Sequence, residues 1–251
     1  MLRTALLASI LLAGCGDDDN LVGTIHATVY GEEFIEDGIP ADELSDGWAI
    51  TFDSFTLEIG NLEAVAGHER APVGLDAFFP VDLAVSSDGA GHALGSFDAP
   101  EGTYDHYAYT LRKIHVRGSA TKGAVTKTFD WNFGLNIRHE HCEINEAITD
   151  NDATIQATIH ADHLFYDDAV SDEPNLAFDL IASADADDDG AITLAELAAK
   201  DIRTETRYQV GSLRDPDGAT VTNLEQYLEV QVGTLGHING EGHCEDIVMI
   251  R

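Results

Sequence analysis

Positive charge is what this chain has least of: 13 Lys and Arg stand against 46 Asp and Glu, a formal net charge of −33. A surface with that balance repels phosphate backbones and anionic headgroups and attracts divalent cations, so nucleic acid is excluded as an expected partner. Cysteine is also sparse, three in 251 residues, with no CxxC pair of the kind structural zinc sites use. The sequence has no GxSxG, no HExxH, no P-loop and no dinucleotide fingerprint, so no catalytic motif indicates an enzyme. No period points to a repeat array. Apolar residues at 44% nevertheless suffice for a core, which separates this acidic chain from a disordered one.

What is present begins with Asp185 to Glu196, DADDDGAITLAE, which matches the twelve-residue calcium loop of an EF-hand. Such a loop needs oxygen ligands at positions 1, 3, 5, 7, 9 and 12. Here these are Asp185, Asp187, Asp189, the Ala191 carbonyl, Thr193 and Glu196. Gly190 lacks the Cβ that would clash in the sharp turn, and Ile192 is the expected apolar residue. Leu176, Leu180, Ile181 and Ala184 before the loop, and Leu194, Leu197 and Ala198 after it, recur at helical spacing, which predicts helix, loop, helix. The carboxylates repel one another without a cation, so Ca²⁺ is expected to order the loop.

The N-terminus reads as an export signal. Arg3 is followed by the apolar stretch Ala5 to Ala13, too short to span a bilayer, and Gly16-Asp17-Asp18-Asp19 ends it. Leu12-Ala13-Gly14-Cys15 resembles the lipobox of bacterial lipoproteins, which implies cleavage after residue 14 and lipidation of Cys15. The expected setting is the bacterial cell envelope, outer membrane before inner, with the lipid anchor in the membrane. Two cysteines remain, Cys142 and Cys244, and an oxidising compartment predicts a disulfide between them.

From residue 21 to about 168 the hydrophobic pattern has period two, which predicts an antiparallel β-sandwich. Trp48, Ile50 and Phe52 share one parity and Phe55, Leu57 and Ile59 the other, so a bulge is expected near Asp53-Ser54. Tyr107, Tyr109 and Leu111 followed by Ile114 and Val116 show the same switch, and Phe129 to Ile137 form the longest alternating run. The chain therefore divides into a signal peptide (1–14), an acidic tether (15–20), a β-sandwich (21–168) and an EF-hand-like helical region (169–251) whose end is disulfide-linked to the β domain. The fold class is mainly β with an α-helical C-terminal part. Asp215-Pro216-Asp217-Gly218 and the helical pattern after Thr222 are expected to form a degenerate partner for the first helix pair, leaving one calcium ion.

Histidines supply a second set of candidates. His139 and His141 continue the parity of Phe129 to Ile137, and a disulfide would bring His141-Cys142 and His243-Cys244 together, so His139, His141 and His243 are expected to face a common Cu or Zn ion or to flank the disulfide. On a continuing strand His160 and Asp162 face one way and His163 the other, so they can share an ion only if the strand bends or ends there, and the segment is expected to be either a second metal site or a structural junction into the helix pair.

Four segments carry a resemblance: DGWAITFDSFTLEIGNL at 46–62, HADHLFYDD at 160–168, the calcium loop, and GHINGEGHC at 236–244. In these the chain resembles uncharacterised bacterial lipoproteins of the myxobacterial type, which implies the architecture and calcium binding but names no reaction. It is fainter in its similarity to periplasmic copper-binding domains with a β-sandwich and histidines. The expectation is a calcium-binding exported lipoprotein with a structural or binding role and no named protein partner. The alternatives are a copper or zinc binder using the histidines, or a metal-dependent hydrolase on His160, Asp162 and His163.

Overall fold

The structure is a computed structural model, and it describes residues 22–67, 71–148 and 152–250. The expected signal peptide, the expected tether and Cys15 lie outside the described residues. Among the described residues there are ten strands: β1 (Val22–Tyr30), β2 (Ala49–Val65), β3 (Val73–Asp82), β4 (His92–Pro100), β5 (Gly102–Lys122), β6 (Val125–Ile148), β7 (Ala153–Ile159), β8 (Ala191–Ile192), β9 (Gly236–Ile238) and β10 (Cys244–Ile250). Four short helices accompany them: α1 (Glu32–Glu36), α2 (Asp179–Ala182), α3 (Leu194–Ala199) and α4 (Leu224–Gly233).

Alternation drives the strands into two sheets that share one core. The smaller has the order β4-β1-β7-β9; the larger has β10-β6-β5-β2-β3, with β8 added to β6. Ile25, Ala27 and Val29 of β1 and Ile155, Ala157 and Ile159 of β7 join Phe55, Leu57 and Ile59 of β2 and Trp131, Phe133 and Leu135 of β6 in one buried cluster. Most pairings are antiparallel, but β1 and β7 run parallel, with Ile25 opposite Ala153.

Both expected parity switches are bulges. The β2–β5 register slips between Phe52 and Ser54, and the β5–β6 register slips between Arg112 and Ile114. A further slip, not expected, separates the Tyr107–Cys142 pair from the Tyr109–His139 pair, and His141 there has φ +52°. The extra residue on β6 reverses its inward face, so His139 and Cys142 are both buried while His141 is exposed.

The helical part is shorter than its periodicity suggests. Only one turn, α2, precedes the loop from Asp185 to Glu196, tied down where Trp48 Nε1 donates to Asp179 Oδ1 at 2.8 Å. The C-terminal region then returns to strand: β9 enters the smaller sheet and β10 the edge of the larger, where Cys142 and Cys244 form the expected disulfide.

Candidate metal centres

Strand β7 ends at Ile159, and a 3₁₀ turn, Ala161–Phe165, follows His160 at once. The strand thus stops where sharing an ion requires it to stop, and the turn folds His163 back until its ring centroid is 5.5 Å from that of His160. Strand β9 pairs antiparallel with β7, placing His237 opposite Thr158 and its ring 4.2 Å from His160 and 5.2 Å from His163. A tight hairpin, with Asn239 and Gly240 both at positive φ, turns the chain so that His243 comes within 5.0 Å of His237.

Imidazoles ligating one ion at about 2.0–2.1 Å hold their ring centres about 3.2 Å from it, so at ordinary ligand angles the rings stand between about 4 and 6 Å apart. All four separations fall in that interval. Carboxylates complete the donor set: the ligand atoms of His160, Asp162 and His163 lie within 4.8 Å of one another, as do those of His160, His237 and Glu241.

The surroundings already orient two of the rings. His160 Nδ1 is 3.4 Å from Glu32 Oε2, and His163 Nδ1 is 2.9 Å from Thr234 Oγ1. His163 then has Nε2 left to ligate, the arrangement in which an outer partner fixes tautomer and direction, while His160 Nε2 lies 3.4 Å from the Gly240 carbonyl oxygen, a contact that an ion would replace. Asp162 is held in turn by the Tyr166 hydroxyl, which donates to it at 2.9 Å. His237 is 6% exposed, and its Nδ1 is buried with no hydrogen-bond partner among the described residues. Burial, reinforced by the neighbouring imidazoles, pulls His237 down to about 3, and burial with His160 beside it pulls His163 down to about 4. Both are therefore neutral near pH 7, the form that binds a metal.

The grouping of His139, His141 and His243 does not form. His139 is fully buried and stacks on Tyr109 at 4.8 Å and 17°, with neither ring nitrogen hydrogen-bonded to a described residue. His141, turned outward by the bulge, lies with Nδ1 2.9 Å from Asp246 Oδ2. His243 instead lies at the edge of the pocket, its ring 5.0 Å from that of His237 and outside both donor groups. Sequence reasoning missed His237, whose signal was the Asn239-Gly240 turn dipeptide between two histidines.

The loop from Asp185 to Glu196 is assembled locally. Thr193 caps α3: Glu196 N–H donates to Thr193 Oγ1 at 3.2 Å, while Glu196 Oε2 accepts from Thr193 N–H at 2.9 Å. That capping box turns Glu196 back over the loop, and its other oxygen accepts from Ala186 N–H at 3.1 Å. Gly190, at φ +87°, donates its N–H to Asp185 Oδ2 at 3.0 Å, and Asp189 Oδ1 accepts from Ala191 N–H at 2.7 Å. Ligand atoms of Asp185, Asp187 and Glu196 lie within 4.8 Å of one another. Lys127 of β6 pairs with Asp185 Oδ2, while Asp185 Oδ1 is buried without a partner among the described residues. An oxygen of that kind is costly unless a cation takes it.

Among the described residues the loop does not pair with a second loop of its kind. Its β8 lies parallel against β6, with Thr128 opposite Ala191, and Trp131 Nε1 donates to the Ile192 carbonyl at 2.8 Å. The expected partner segment packs α4 against α3 but spends Asp215 internally, on the N–H groups of Asp217 and Ala219 and on Gln226 Nε2.

No protein-family model matches the chain, and no curated protein matches it. Among solved structures the chain is similar to MbnP from Methylosinus trichosporium, with 12% identity over 57% of this chain and 77% of that one and a TM-score of 0.35. So slight a likeness assigns neither fold nor function; the chain's own residues identify it as a β-sandwich with two separate groups of side chains fit to hold a metal ion.

Proposed function

We propose that the protein is an exported metal-binding protein whose working site is the imidazole pocket, taking a late transition ion, Cu or Zn, on His160, His163 and His237 with Glu241 or Asp162. The observation that carries this is the convergence of three histidines from β7, its 3₁₀ turn and β9, two of them with Nδ1 already engaged. Imidazole with carboxylate suits copper and zinc, whereas calcium and magnesium take oxygen almost alone. The role is binding rather than catalysis.

In the same reading the loop from Asp185 to Glu196 binds Ca²⁺ as a structural element. The buried, unpartnered Asp185 Oδ1 and the three converging carboxylates favour it. Extracellular calcium sites of this type bind at about 10⁻⁴ to 10⁻³ M, so the ion is constitutive outside the cell. Export with a lipid anchor on Cys15 rests on the N-terminal signal and agrees with a disulfide between Cys142 and Cys244.

Metal analysis of the purified chain, after exposure to Ca²⁺, Zn²⁺ and Cu²⁺ and removal of the excess, tests the proposal. Zinc or copper lost in the His160→Ala plus His163→Ala variant and retained in the Asp185→Ala plus Glu196→Ala variant supports it. Transition metal retained by both, or bound by neither the parent nor any variant, contradicts it.

A further inference from the structure

His243 stands apart from the other three imidazoles of the pocket. It is exposed, on the far side of the hairpin, and joins neither close-packed donor group. The chain before it is firmly held on the smaller sheet: Asn239 N–H donates to the Gln156 carbonyl at 2.7 Å, Gly240 N–H to Thr158 Oγ1 at 2.8 Å, and Ile238 and Gly242 exchange backbone hydrogen bonds at 2.9 and 3.0 Å. The chain after it belongs to the larger sheet, where β10 runs beside β6 from Cys244. His243 is thus the crossing between two sheets. Its backbone is tied to β6 by the Cys244–Cys142 disulfide one residue on and by a 3.3 Å hydrogen bond from Glu143 N–H to its carbonyl.

From this placement, and resting on the imidazole pocket proposed above, we propose that the disulfide is a redox latch: it holds His243 over His237 as the outermost metal ligand, and its reduction weakens the site. Holding an exposed residue in one place costs chain entropy, and a covalent tie at the adjacent residue fixes the His243 backbone before an ion arrives. The switching step is thiol–disulfide exchange with an external dithiol. Its two thiols reduce the Cys142–Cys244 bond to two protein thiols and leave as a cyclic disulfide, two electrons and two protons passing to the protein. The His243–Glu245 crossing then hangs on non-covalent pairing alone. Groups that orient a ligand typically contribute 10- to 100-fold in metal affinity, and the latch acts at about the lower bound, tenfold. Linkage makes the effect reciprocal: a bound ion that favours the oxidised chain tenfold makes the disulfide harder to reduce by the same factor, about 30 mV for this two-electron couple.

The test is a double-mutant cycle read with Zn²⁺ alone, by competition with a chromophoric chelator at pH 7, on the parent, on Cys142→Ser plus Cys244→Ser, on His243→Ala, and on the triple variant. The latch predicts that the serine pair and His243→Ala each bind about tenfold more weakly, and that the triple variant is no weaker than His243→Ala. Equal affinity of parent and serine pair, or a triple variant about a hundredfold weaker, overturns the latch while the parent's zinc binding still supports the pocket. A parent that binds no zinc and no copper defeats the pocket instead. If the serine pair does not fold, the parent reduced and desalted without air takes its place. Tighter zinc binding there than in the oxidised chain shows thiolates replacing His243 as ligands and overturns the latch.

Discussion

The two candidate metal regions of this molecule differ in how they are made. The loop from Asp185 to Glu196 is contiguous: a glycine turn, a capping box and alternating carboxylates set its geometry within twelve residues. The imidazole pocket draws on residues 32, 160–163 and 237–243, which meet only because β9 pairs with β7 and a hairpin reverses the chain. A local site depends on local chemistry; an assembled site depends on the fold, and on the disulfide that closes it. The comparison predicts that the loop can be damaged without harming the pocket, but that the pocket is sensitive to changes in the scaffold.

The largest expected effect is a crossed loss. His160→Ala plus His163→Ala abolishes zinc or copper binding in equilibrium dialysis, and Asp185→Ala plus Glu196→Ala abolishes calcium binding, each leaving the other ion bound. Loss of both ions from either variant breaks the distinction. Next, the Cys142→Ser plus Cys244→Ser variant is less stable than the parent by about 2–5 kcal/mol in urea unfolding, the usual value of a native disulfide in an exported domain.

Acid separates the two regions further. His139 and His237, lowered to about 3, and His163, lowered to about 4, all have folded values below the ordinary 6.5 of an unfolded histidine. The unfolded chain therefore binds the extra protons. The stability these groups contribute is fully present above about pH 6.5 and is lost as pH falls through the folded values. The metal-free protein should lose several kcal/mol between about pH 6.5 and 4 in urea titrations, and less in His139→Phe, which keeps the ring packing against Tyr109 without the proton. An unchanged pH profile in that variant removes His139 from the account.

The smallest effect concerns Lys127. Its ammonium pairs with Asp185 and repels an arriving Ca²⁺, so Lys127→Met should bind calcium a few-fold more tightly while its calcium-free form melts lower. Trp131, bonded to the loop at Ile192, supplies the fluorescence readout.

Legibility in the sequence follows the same division. The carboxylate cluster of Asp185, Asp187 and Glu196 and the bulges near Asp53-Ser54 and Arg112 could be read because each leaves a signal within a few residues. The parallel pairing of Ile25 with Ala153 could not, because strand direction and partner are settled by contacts across more than a hundred residues. The bulge at His141 was hidden for a related reason. Alternation carried His139 and His141 inward together, and only the pairing of Tyr107 with Cys142 and Tyr109 with His139 reveals the extra residue. His160 and His163 were visible as a pair because they lie in one turn. His237 was invisible because its neighbours arrive from β7, on the far side of the helical segment.

The measurement that bears most directly on the account is a calorimetric titration of the metal-free chain with Zn²⁺ in saturating Ca²⁺, repeated on His237→Ala. One tight zinc equivalent is expected in the parent, at least tenfold weaker in His237→Ala, with the calcium heat the same in both. Zinc binding undiminished in His237→Ala, or abolished by calcium in the parent, would contradict two separate sites and the assembled imidazole pocket.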